Sequence, residues 1–152
     1  IQIGGNNMTS KKDNTKMQRV INFTCDERIA DNIIKLHDKG YYTVFSCSGH
    51  EEDEYISPYV MFDHIGSIGL SMLMGCENEA PMHWEAEYQI DECNMPMNYT
   101  IRRYFSEEEI EEYGGVGVMI AIAMAELESW IFNLPKNCFN IYTTGTTRKV
   151  FE

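Results

Sequence analysis

The run Gly40-Tyr41-Tyr42-Thr43-Val44-Phe45-Ser46-Cys47-Ser48-Gly49-His50 decides how this chain is read. Gly40 suits the stop of a helix, and Tyr41 to Cys47 then alternate as a strand does. Its last five residues bring a thiol, two hydroxyls, an imidazole and a permissive Gly to the point where strand gives way to loop. Four acids, Glu51-Glu52-Asp53-Glu54, follow at once.

Upstream, Arg19 to Cys25 reads as a strand, with Ile21 and Phe23 on one face and Asn22 and Thr24 on the other. Thr24 and Glu27 have capping-box spacing, and Ile29, Ile33, Ile34 and Leu36 form the apolar stripe of a helix. Downstream, Tyr59-Val60-Met61-Phe62 is a third strand opened by Pro58. Ile65 to Cys76 is a weaker helix, diluted by Gly66, Gly69 and Gly75. Trp84, Ala86, Tyr88 and Ile90 alternate with Glu85, Glu87 and Gln89 as a half-buried strand. A turn at Asn94-Met95-Pro96 leads to a fifth strand, Tyr99 to Phe105. A hairpin of these two strands sets Arg102 against Glu85 or Glu87.

Ser106 and Glu109 repeat the capping-box spacing, and Gly114-Gly115 break the acidic helix they open. In the long helix that follows, Val116, Ile120, Met124, Leu127, Ile131 and Leu134 share one face, widened by Met119, Ile122 and Trp130. Pro135 ends it, and Ile141 to Phe151 is a final strand or an extended tail. The expected fold is α+β, a mixed sheet with helices on one face. Its elements follow the ferredoxin-like βαββαβ order, with an extra strand and a long C-terminal helix added. Ile1 to Lys16, rich in Gly, Asn and Lys, is expected to be a disordered or expression-derived tail, with Met8 or Met17 as a natural start; residues 17–152 form one domain.

Composition narrows function. With 152 residues, 43% hydrophobic and 12% aromatic, the chain can fill a core. A net charge of -12, from 24 acids against 12 Lys and Arg, repels phosphate backbones, so direct nucleic-acid binding is not expected. Five cysteines, an odd number without a leader segment, read as cytoplasmic thiols and not as a disulfide frame. The apolar stretch Val116 to Ala125 is too short to span a membrane before Glu126 and Glu128 interrupt it. The broad face of the last helix also suits a homodimer.

Three chemistries fit the central motif. Cys47 and His50, two residues apart, can close a loop on zinc, although no second such pair accompanies them and His64, His83, Cys76 or Cys93 could join only through folding. Cys47 can be a nucleophile if His50 lowers its pKa, which the acidic neighbours oppose. Alternatively, Ser46, Ser48, His50 and the N–H groups around Gly49 can bind an anionic or sugar-like ligand, with Arg102 and Arg103 supplying positive charge and Cys47 forming the floor. Tyr41, Tyr42, Tyr59 and Trp84 are candidates to stack on a base. His37 and His64, each beside an Asp, read as surface or capping groups.

The stretch Asp26 to Phe62, above all Lys39-Gly40-Tyr41-Tyr42-Thr43-Val44-Phe45-Ser46-Cys47-Ser48-Gly49-His50, resembles a group of small bacterial and phage proteins. They share a helix, a Lys-Gly-Tyr turn and this Ser-Cys-Ser-Gly-His end. More distantly it is similar to the Ser-Cys-Ser-Gly loop of the tRNA wybutosine-synthesizing methyltransferase-like family, which uses S-adenosylmethionine and a tRNA substrate. The resemblance implies a ligand loop at Ser46, Cys47, Ser48 and Gly49. After the Gly that family carries a basic residue, where this chain has His50 and acids. The expected function is small-molecule, nucleotide-like binding, of the kind by which a phage protein sequesters a host defence signal. The alternatives are an enzyme, methyltransferase-like or a metal-assisted hydrolase, and an acidic inhibitor of a basic host factor.

Overall fold

A computed structural model describes residues 7–8, 19–51, 57–73, 79–140 and 146–151. The elements run β1 (Asn7–Met8), β2 (Arg19–Cys25), α1 (Glu27–Asp38), β3 (Thr43–Cys47), β4 (Tyr59–Phe62), α2 (His64–Ser71), β5 (Glu85–Ile90), β6 (Pro96–Arg102), α3 (Glu107–Tyr113), α4 (Val116–Asn133) and β7 (Thr146–Phe151). The class is α+β, and the order βαββαβ holds from β2 to β5. The expected single mixed sheet is divided in two. One sheet is the antiparallel order β3-β4-β6-β5; the other is β1-β2-β7, in which β2 pairs with β7 in parallel. The hairpin causes the division, because β6 takes the place beside β4 that the first strand of a ferredoxin-like sheet would occupy. Within the expected tail, Asn7–Met8 pairs with Arg19 and Val20; the rest of residues 1–16 lies outside the described residues.

Local chemistry explains the well-placed elements. The β5–β6 turn is held by Asp91, whose Oδ1 accepts from the N–H groups of Cys93 and Met95, both at 2.8 Å. Arg102 faces Glu85 in the ladder and reaches the Glu87 carboxylate at 4.0 Å. Ser106 and Glu109 form a complete capping box at α3. Gly114 and Gly115, with φ of 94° and 131°, turn the chain into α4, which continues past Glu126 and Glu128 to Asn133. By length and composition α4 could cross a membrane. Its buried side chains, among them Met119, Ile120, Leu127 and Ile131, join the core made by Ile29 and Ile33 of α1.

Three expectations change. Helix α1 begins after Asp26, not at a Thr24–Glu27 capping box, because β2 extends through Cys25 and fixes Thr24 in the ladder. Helix α2 ends at Ser71, and its glycines mark close approach: a Cβ on Gly69 would stand 2.4 Å from the Asn137 side chain, and one on Gly66 3.1 Å from the Tyr42 carbonyl. Beside them the buried Ser67 accepts from the Tyr99 N–H at 2.9 Å, tying α2 to β6. Finally, His37 is a core residue, 2% exposed. Its Nε2 accepts from the Thr43 N–H at 3.1 Å and lies 2.9 Å from Thr43 Oγ1, joining α1 to β3, and burial pushes its pKa down to about 3.

One lysine fixes the far end of the molecule. Lys39 Nζ donates to the carbonyls of Ile131, Phe132 and Leu134, where the last turn of α4 has acceptors without intrahelical donors.

Candidate functional site

The end of β3 meets the start of α1. Cys47 is the last residue of β3, and alternation puts Cys47 and Phe45 on the face of the sheet opposite Ser46 and Val60. Ser46 therefore turns to the covered face, and its Oγ has no hydrogen-bond partner among the described residues. Cys47, Ser48 and Gly49 are buried, and His50 is half-exposed.

Asp26 organises this loop, and the sequence reading missed it. It occupies the N-cap of α1 with extended backbone, yet its side chain does not cap the helix. Its Oδ2 instead accepts from Ser48 N at 3.0 Å and Ser48 Oγ at 3.1 Å. Gly49, with φ of 96°, donates its N–H to Cys47 Sγ at 3.3 Å. Arg28 clamps the outer side, donating to the Gly49 carbonyl at 3.2 Å and pairing with Glu51 at 3.1 Å. Glu51 in turn lies against Gly117, near the start of α4, where a Cβ would come within 3.0 Å of its carboxylate. Two helix ends thus hold the loop.

This arrangement changes what the loop can do. The Ser48 and Gly49 N–H groups, expected to bind an anion, already serve Asp26 and Cys47. What converges is a set of acceptors: a carboxylate oxygen of Asp26, Cys47 Sγ and a ring nitrogen of His50 lie within 4.8 Å of one another, with Sγ and His50 Nε2 3.3 Å apart. Burial, foremost, and the neighbouring Asp26 charge push the Cys47 thiol up, outweighing the Gly49 N–H and Arg28, which favour the thiolate. Without a neutralising cation the sulfur stays a thiol, a poor nucleophile.

Both arginines are placed by the sheet. The ladder lines up Cys47, Tyr59, Arg102 and Glu85 across β3, β4, β6 and β5, so these side chains share one face. The Arg102 guanidinium lies 4.8 Å from the Tyr59 ring centre and 5.9 Å from that of Tyr104, whose side chain is half exposed. Phe45, also exposed, extends the same face. Arg103 is committed elsewhere: 4% exposed, it bonds Glu126 and Glu109, each at 3.0 Å, and the Tyr104 carbonyl at 2.7 Å. Of the aromatics considered for stacking, Tyr41, Tyr42 and Trp84 are buried, and Tyr59 alone belongs to this face.

Cavities of about 610 Å³ and 470 Å³ flank α4, lined by residues such as Lys35, Lys39 and Phe132 in the first and Arg28, Asn32 and Gly117 in the second. Neither includes the Cys47 cluster. No protein-family model matches this chain, and no curated protein or solved structure is significantly similar to it.

Proposed function

We propose that the protein binds a small nucleotide-like molecule on the outer face of its four-stranded sheet, acting in the cytoplasm. The observation that carries this reading is the row Cys47–Tyr59–Arg102. It sets Tyr59 one strand spacing, and the Arg102 guanidinium layered on its ring two spacings or about 9.6 Å, from the polar loop that ends in His50. A flat heterocycle extends such a layer by stacking on Tyr104 or on the free surface of Arg102. Its polar end then meets His50 and the Asp26–Ser48 pair. In a chain of net charge -12, Arg102 beside Tyr59 and Arg28 at the Gly49 carbonyl supply positive charge along that path. The reading differs from the sequence expectation in one respect: recognition comes from the sheet face and the imidazole, because the loop N–H groups are already engaged.

Thermal-shift measurements against a panel of mono- and dinucleotides test it. A ligand at one hundred times its Kd adds about 2.7 kcal/mol, and a domain of this size gains about 2–4 °C per kcal/mol, so a rise of roughly 5–10 °C is expected. The rise should shrink in Arg102→Ala and in His50→Ala. A panel that leaves the wild-type melting temperature unmoved refutes the proposal, as does a shift that both variants retain in full.

A further inference from the structure

The acceptor cluster at the head of that row has a chemistry of its own. The loop donors point toward the cluster: the Ser48 N–H and O–H to the Asp26 carboxylate, and the Gly49 N–H to Cys47 Sγ. These donors orient the carboxylate and the sulfur, as the outer-shell partners of metal ligands do. The third member, His50, brings a ring nitrogen to 3.3 Å from the sulfur. Tetrahedral zinc with bonds of about 2.0–2.3 Å holds its ligand atoms about 3.3–3.7 Å apart. The three ligand atoms lie within 4.8 Å of one another, about an ångström beyond that spacing at most.

We propose that Asp26, Cys47 and His50 bind a single zinc ion with three protein ligands and a fourth position open to solvent or ligand. The donor set selects the metal class. A thiolate and an imidazole beside one carboxylate suit zinc and disfavour magnesium and calcium, which require several oxygens. Burial gives the ion a dry floor at Cys47 to Gly49, while half-exposed Asp26 and His50 leave a way in. The ion would also place positive charge at the end of the stacking face, the feature an acidic protein needs in order to hold an anionic ligand. Metal binding displaces the Cys47 proton to solvent and involves no redox step.

Cobalt(II) is the probe, because a thiolate ligand gives an intense charge-transfer band in the near ultraviolet and tetrahedral geometry gives strong visible bands. Purified full-length chain, stripped with a chelator and titrated without any nucleotide, should bind one cobalt per chain, and zinc should bleach both sets of bands. Cys47→Ser should abolish the charge-transfer band. His50→Ala and Asp26→Asn should weaken cobalt binding and alter the visible bands, and Ser48→Ala, which removes one of the two hydrogen bonds that orient Asp26, should weaken it about tenfold. Cys93→Ser and Cys138→Ser, which change exposed thiols, should leave the spectrum intact. Circular dichroism establishes that each variant is folded.

No charge-transfer band from folded wild-type protein overturns the assignment. So does a band that survives Cys47→Ser, or one that neither His50→Ala nor Asp26→Asn affects. The metal proposal does not rest on the nucleotide reading. Cobalt bands without any nucleotide-induced shift would leave the metal site standing and remove the proposed ligand, and a shift in chelator-stripped protein that gives no cobalt band would do the reverse.

Discussion

Replacing Arg103 with alanine should destabilise the protein more than any surface substitution, and the structure gives the size. The guanidinium is buried with three hydrogen-bonded partners: Glu126 through Nε, Glu109 through Nη2 and the Tyr104 carbonyl through Nη1. The two carboxylates are not equivalent. Glu126 has a side chain 12% exposed, so losing Arg103 leaves its carboxylate largely shielded from water with His83 Nδ1 at 2.6 Å as a remaining hydrogen-bond partner. Glu109 is 34% exposed and keeps its capping-box bonds to Ser106, so water takes over its share. Breaking a buried pair by removing one partner costs about 3–5 kcal/mol, against a total stability of about 5–15 kcal/mol for a domain. At about 2–4 °C per kcal/mol the melting temperature should fall by roughly 6–20 °C. The companion Arg103→Met/Glu126→Gln variant removes both charges and should recover most of the loss, since a buried ion pair exchanged for neutral groups of similar volume is often near neutral. Differential scanning calorimetry of wild type, Arg103→Met, Glu126→Gln and the double variant closes the cycle, with Arg103→Ala measured beside it. A fall below about 2 °C in Arg103→Ala, or a double variant no better than the single one, would refute the claim that Glu126 carries the penalty.

His37 gives a pH signature. Its folded pKa of about 3 lies below the unfolded value near 6.5, so the unfolded chain takes up the proton first and stability falls as pH drops below about 6.5 toward 3. From pH 7 to 5 urea titrations should lose about 2 kcal/mol through this group, and His37→Gln, already less stable, should show a flatter profile. An unchanged slope in the variant would remove His37 as the cause. Gly69→Ala drives a methyl into Asn137, whose side chain donates to the Gly40 and Ile65 carbonyls. Chemical denaturation should show a loss of about 1–3 kcal/mol, and a neutral result would mean that Asn137 has room to retreat.

How much of this could be read from the sequence follows from distance along the chain. The Ser106–Glu109 capping box, the Gly114-Gly115 break and the hairpin opposing Arg102 to Glu85 are set by neighbours, and each was legible. His37 was readable in principle, being four residues after Ile33 and so on the stripe that faces the core. The α2 glycines looked like weak helix formers because nothing local shows that Asn137 and Tyr42 press against them. Asp26 left the least trace. It stands where a capping residue should, and only the fold shows its carboxylate turned to Ser48. The motif at Ser46 to His50 showed where strand gives way to loop but not the direction of the loop's hydrogen bonds, which point inward.

The parallel pairing of β2 with β7 sets an order of assembly. The four-stranded sheet draws its strands from one continuous middle stretch, whereas β2 must wait for a partner from the opposite end of the chain. Closing that long loop is slow and has little reward until both strands are present. Cys47 and His50 belong to the part that forms early, and Asp26 is carried in at the end of β2. Pulse-labelled hydrogen exchange during refolding should protect β3, β4 and β6 before β2; simultaneous protection would contradict this order. The candidate site is in this sense a marker of β2 docking, its three groups brought together only where β2 has found its place beside β7.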